Sequence, residues 1–141
     1  MTYKFLEDIA IADIAFDATG KNLNEVFENC ALALFECMAK LKTVKAKIKK
    51  EINLEEEKLD DLLYNLLEEI IFIKDVESLV FSKVSVNIKK NKTFKLNATI
   101  YGDKINQEKQ TLKDDVKAIT LHMFEIKKTE KGYKARVIVD I

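Results

Sequence analysis

The 141-residue chain has no proline, no tryptophan, three glycines, two cysteines and one histidine. So few glycines leave no phosphate-cradling loop, dinucleotide fingerprint or nucleophile elbow, and two cysteines with one histidine cannot assemble a zinc-type site. The common cofactor folds are therefore excluded. Cys30 and Cys37 fall in one helix-periodic stretch, where seven residues span about 10 Å, too far for a bridge; they read as helix core. The 24 basic and 24 acidic side chains cancel, so no whole-molecule field draws the chain to nucleic acid or an anionic membrane. Only one basic residue, Arg136, is an arginine, which disfavours the planar, bidentate reading of bases that DNA recognition uses. The longest apolar run, Cys30 to Phe35, is far short of the roughly 20 residues of a membrane span. The opening residues, Met1 to Asp8, lack the apolar core of a secretory signal, so a cytoplasmic location is expected.

Hydrophobic residues at 48% and charged ones at 34% fit one globular domain over residues 1–141. From Ile9 to Ala18 the chain alternates, with Ile14 and Phe16 on one side and Asp13, Ala15 and Asp17 on the other, as in a half-buried strand. Asn22 three residues before Glu25 reads as a helix cap, and Leu23, Val26, Phe27, Cys30, Ala31, Leu34, Met38 and Leu41 follow at helical spacing. Val44 to Glu51 alternates again. Asn53 and Glu56 repeat the cap pattern before a second apolar stripe, Leu59 to Ile73. Beyond Asp75 the spacing predicts strands at Val80–Ile88, Phe94–Ile100, Val116–Ile126 and Tyr133–Ile141, with Asp103–Asp115 as a polar loop and the three glycines at turns. The fold class read from this pattern is α+β: a mostly antiparallel sheet of about six strands with two amphipathic helices on one face.

Chemistry-bearing residues are sparse. His122 shares a strand face with Ala118, Thr120 and Phe124 and reads as a structural histidine. Asp140, next to the terminal carboxylate of Ile141, makes a clustered negative charge whose natural complement is a hard metal or a basic side chain. Lysines at 40, 42, 45, 47, 49 and 50, and at 83, 89, 90, 92 and 95, form two basic runs without regular aromatic interleaving.

Several stretches together resemble the archease family: Ala12-Asp13-Ile14-Ala15-Phe16, Leu23 to Phe35, Leu62 to Glu69, Tyr101-Gly102-Asp103, Val116 to His122 and Val137 to Ile141. The likeness spans nearly the whole chain, and Lys117-Ala118-Ile119-Thr120-Leu121-His122 with the closing Asp140-Ile141 is its most specific part. Where the family usually reads His-Thr-Ala-Asp this chain has Ala10-Ile11-Ala12-Asp13, so a ligand or hydrogen bond from that histidine is lost. The resemblance implies a non-catalytic protein that activates the RtcB-type tRNA-splicing RNA ligase by promoting its guanylylation and multiple turnover. It also implies a divalent cation, calcium or another hard ion, held by Asp13, Asp140 and the terminal main chain at Ile141, with Asp13, Lys117 and Asp140 acting on the ligase. tRNA contact would be indirect, and neither a membrane nor DNA is an expected partner. For one cation to bridge them, the carboxylates of Asp13 and Asp140 must lie within about 7 Å. Lys117, expected on the strand face of Ile119 and Leu121, would pair with them. Two other readings remain open: an RNA-binding module or chaperone for RNA-modifying enzymes, and a small metal-dependent hydrolase with His122 as base.

Overall fold

The Asn22 carboxamide accepts the Glu25 backbone N–H at 2.9 Å, and the Glu25 carboxylate accepts the Lys21 N–H at 3.2 Å. This reciprocal cap satisfies donors that the first helical turn would otherwise leave orphaned, and it starts α1, Leu23–Met38. The second helix, α2, runs Leu59–Glu77 and has no side-chain cap; Asp60 and Asp61 instead place negative charge at its positive end. The computed structural model describes residues 2–7 and 13–141. Within them the strands are β1 (Tyr3–Leu6), β2 (Asp13–Gly20), β3 (Ile48–Glu56), β4 (Leu79–Lys90), β5 (Phe94–Lys104), β6 (Ala118–Thr129) and β7 (Gly132–Asp140).

The fold class is α+β, but the strands form two antiparallel sheets where one was expected: β1-β2-β7-β6 and β3-β5-β4. The physical reason is that α1 packs on β2 and on β4, and α2 on β3 and on β6, so each helix touches a strand of both sheets. A helix in that position buries more than one stripe. In α1, Val26, Phe27, Cys30, Ala31, Ala33, Leu34 and Phe35 are all fully buried, and Phe35 meets Phe81 of β4 with ring centroids 5.5 Å apart. α1 also closes the free edge of β4: Glu28 and Asn24 accept the Val86 and Ile88 backbone N–H groups, each at 2.8 Å. Four residues of helix and two of strand both advance about 6 Å, so the two acceptors match the two donors. An open edge is thereby blunted.

Three further expectations are corrected. β3 continues to Glu56 in an unbroken ladder with β5, so the Asn53–Glu56 pattern is strand and not a helix cap. The first four residues of the strand expected from Val44 lie outside the ladder, and Lys45, Ala46 and Lys47 are exposed. Gly102 is inside β5, where an added Cβ would lie 1.9 Å from the Val80 carbonyl oxygen, so the close approach of β4 and not a turn requires glycine there. Gly132, with φ +150°, does close the β6–β7 turn as the first residue of β7. No helix among the described residues is long and apolar enough to cross a membrane.

Candidate functional site

Asp13 opens β2 and Asp140 closes β7. The antiparallel register sets them directly opposite each other, and Ala118, the first residue of β6, is opposite Asp140 on the other side. Opposed residues point to one face with Cβ atoms about 4.5–5.5 Å apart. Because Phe16 is fully buried and two-residue alternation puts it on the other side, Asp13 and Asp140 belong to the sheet face turned away from the helices. Both are half-buried. Among the described residues no hydrogen bond or ion pair engages either carboxylate. Residues 8–12 lie outside the described residues, and with them Ala10 and Ile11 and the expected start of the strand at Ile9.

Asp17, on the same face four residues further along β2, is the contrast. It is 5% exposed and opposite Arg136, whose guanidinium donates to both carboxylate oxygens at 2.8 and 3.0 Å, while Lys134 Nζ lies 3.6 Å away. That hydrogen bonding, with the charge behind it, holds the Asp17 carboxyl below the ordinary carboxylate range despite burial. One aspartate on this face is therefore neutralised by the protein, and the pair at the strand ends is left for something else.

Lys117 lies immediately before β6. Its backbone N–H donates to the Asp140 carbonyl at 2.8 Å, so its main chain is tied to the site. Its side chain is exposed and makes no ion pair with Asp13 or Asp140 among the described residues; of the two residues expected to share its face, Ile119 is buried and Leu121 is 72% exposed. Ile141 is half-buried and packs against the core. His122 is exposed and not a core histidine: the β6–β7 register slips between Thr120 and Glu125, and Met123 within the slip has φ +55°.

Two residues that sequence reasoning passed over contribute here. Lys74 in the last turn of α2 is 6% exposed; its ammonium donates to the Val116 carbonyl at 2.8 Å and reaches the carboxylates of Asp75 at 2.8 Å and Asp115 at 3.1 Å. Two hydrogen bonds, to Val116 and Asp115, and an ion pair with Asp75 hold the ammonium. The segment leading into Lys117 is thus pinned from the helix layer. Thr120, two residues beyond Ala118 and so on the face of Asp140, has a buried hydroxyl with no hydrogen-bond partner, a cost normally avoided. The apolar helix stripe hid Lys74, and nothing in the alternation of β6 marks the Thr120 hydroxyl as unpartnered.

The oxygens of Asp13 and Asp140 suit a hard cation. Carboxylates and main-chain carbonyls are the donor types calcium or magnesium takes. No three His, Cys, Asp or Glu side chains gather among the described residues, so a shell of six to eight oxygens would be completed by water or by groups of a partner.

Residues 3–141 match the Archease protein family. The chain is similar to Protein archease of Pyrococcus abyssi, 42% identical over 132 residues that cover 92% of this chain and 93% of that one. It is 35% identical to Protein archease of Archaeoglobus fulgidus over 141 residues, covering both chains in full. Among solved structures, the solution structure of a Methanobacterium thermoautotrophicum protein superposes with a TM-score of 0.86 at 40% identity, covering 99% of this chain and 98% of that one. The crystal structure of an archease, possible chaperone, from Thermotoga maritima superposes with a TM-score of 0.64 at 18% identity over 92% and 91% of the two chains, a likeness of fold.

Proposed function

Since the chain belongs to the archease family, we propose that it is a non-catalytic accessory protein that activates an RtcB-type tRNA-splicing RNA ligase, promoting guanylylation and repeated turnover. The observation that carries this reading is the uncompensated pair Asp13 and Asp140, set side by side by the β2–β7 register. Like charges at this spacing repel. A divalent cation bound there would supply compensating charge with coordination positions left open toward a partner.

Asp13 and Asp140 would hold the ion, with main-chain oxygen at Ile141 nearby. Their role is to orient it on the rigid ends of two paired strands, where the Lys117 N–H bond to the Asp140 carbonyl keeps β7 from fraying. The exposed Lys117 side chain is left free to reach a ligase carboxylate or a nucleotide phosphate. An activator must bind the reactive state of its partner better than the resting one, because equal binding to both shifts nothing. An acidic tip that completes its coordination only in the guanylylation-competent ligase meets that requirement.

The test is covalent transfer of guanylate from GTP to the ligase, measured with sub-stoichiometric amounts of this protein. Faster labelling with wild type and none above background with Asp13→Ala or Asp140→Ala is expected. Unchanged labelling with wild type would refute the reading.

A further inference from the structure

The lysine run between residues 40 and 50 does not form one charged face. Lys49 and Lys50 pair with Glu51 and Glu77, whereas Lys45 and Lys47, in the exposed segment ahead of β3, line a pocket of about 240 Å³ together with Lys104 from the end of β5 and Lys109 from the loop after it. These positions are up to 64 residues apart in sequence, and only the fold brings them together. Asp103 is the one carboxylate in the lining, and its Oδ1 is occupied by the Lys104 backbone N–H at 2.9 Å. Among the described residues Lys45, Lys47 and Lys109 have no ion-pair partner. A chain of zero net charge thus keeps a local positive excess in a concave site.

The walls of this pocket are fixed. Lys47 N–H donates to the Gly102 carbonyl at 2.9 Å and Thr111 N–H to the Thr43 hydroxyl at 3.0 Å. The buried Gln110 side chain donates to the Lys104 carbonyl and accepts the Asn106 N–H, both at 2.9 Å. The Lys104 ammonium donates to the Glu77 carbonyl at 3.0 Å. The same segment that forms one wall continues through Lys113, whose N–H donates to Met38, and through Val116 on Lys74, to Lys117 and Asp140. Four lysines lining one pocket with a single carboxylate, Asp103, leave an excess of positive charge that favours a multivalent anion, and as point charges they take phosphate oxygens without demanding a planar partner. No aromatic ring lines the pocket, so it has no platform on which to stack a base.

From these observations we propose that the pocket of Lys45, Lys47, Lys104 and Lys109 seats phosphates of a single RNA strand, binding its backbone without sequence preference. The accessory function above is used only to choose RNA over another phosphate polymer. The strand would then lie at the end of the molecule from which the acidic pair addresses the ligase, so that one protein touches both enzyme and substrate.

The experiment is fluorescence anisotropy of the full chain with a labelled single-stranded oligouridylate. Four lysine–phosphate contacts give a salt slope near −2.8, so affinity should fall about 50-fold between 50 and 200 mM salt. Lys45→Gln/Lys47→Gln/Lys109→Gln should weaken binding at least about tenfold at 50 mM and flatten the slope by about 2. The equivalent triple change at Lys89, Lys92 and Lys95 on the β4–β5 hairpin should change affinity less than about twofold. Competing inorganic phosphate and GTP distinguish the phosphate source. Displacement of the RNA by either at equal phosphate concentration, equal weakening by both triple variants, or no binding at 50 mM salt would each overturn the proposal. Guanylylation of the ligase without RNA reads the accessory function separately: the pocket variant should leave it unchanged, and its absence with wild type would remove that function while the RNA affinity stands.

Discussion

Replacing Lys74 with methionine tests whether a buried cation organises the strand-end site. Methionine keeps most of the aliphatic stem, so the packing of α2 is little altered. Three interactions are lost and they are unequal. Asp75 and Asp115 are 58% and 85% exposed, so water replaces the ammonium at both and little stability is lost. Val116 is fully buried, and its carbonyl is left without that donor, which costs about 1–3 kcal/mol. Against this, the variant no longer has to desolvate an ammonium, which offsets part of the loss. A net destabilisation of about 1–2 kcal/mol follows, a fall of roughly 3–7 °C in thermal midpoint for a chain of this size. The local effect should be larger than the global one. With Val116 released, the Lys117 amide, bonded to the Asp140 carbonyl, should exchange with deuterium at least about tenfold faster, while amides in the middle of β7 slow or quicken only with global stability. Hydrogen exchange followed by NMR reads both. Unchanged protection at Lys117 would show that the segment is held by something other than Lys74, and a midpoint fall above about 15 °C would show that the ion pairs dominate after all.

Asp13→Ala and Asp140→Ala should each abolish ligase activation while leaving the cation-free thermal midpoint unchanged or higher, because one of two facing carboxylates is removed; a clear loss of stability would mean the pair is structural. Lys117→Met should remain folded within about 0.5 kcal/mol, as for an exposed side chain, yet lose activation, and equal ligation rates would return it to the role of a solvated lysine. Asp17 titrates below its unfolded-state value near 3.9, so its contribution to stability is complete above that pH and is lost as pH falls through the lower folded value. Arg136→Met should therefore melt below wild type at pH 7, and the gap should narrow as pH falls below the ordinary carboxylate range; a gap that stays constant as the solution is acidified would assign the effect to packing alone. Burial pushes the Cys37 thiol up to about 12, and Cys30 higher still, so neither should react with an aromatic disulfide reagent at pH 8 until the protein unfolds.

Local periodicity was enough to identify both helices, most strands and the inward faces, because burial of alternate or every third and fourth side chain is written in neighbouring residues. It placed Ile14 and Phe16 in the core and Asp13 on the opposite face, and the likeness of six short stretches to one family singled out Asp13, Lys117 and Asp140. Strand partners were not legible in this way. A strand's pattern states which face is buried and leaves open which strand it pairs with, so two sheets read as one, and β3 lost its last residues to a fortuitous Asn53–Glu56 spacing. The family resemblance required Asp13 and Asp140 to come together, but periodicity did not say which ladder does it. The same gap hid the other meetings: Asp17 with Arg136, Lys74 with Val116, and Lys45 and Lys47 with Lys109 come together only after ladders and loops close over tens to more than a hundred residues. Their charges and hydrogen bonds depend on distances of a few ångströms, which tertiary packing alone decides.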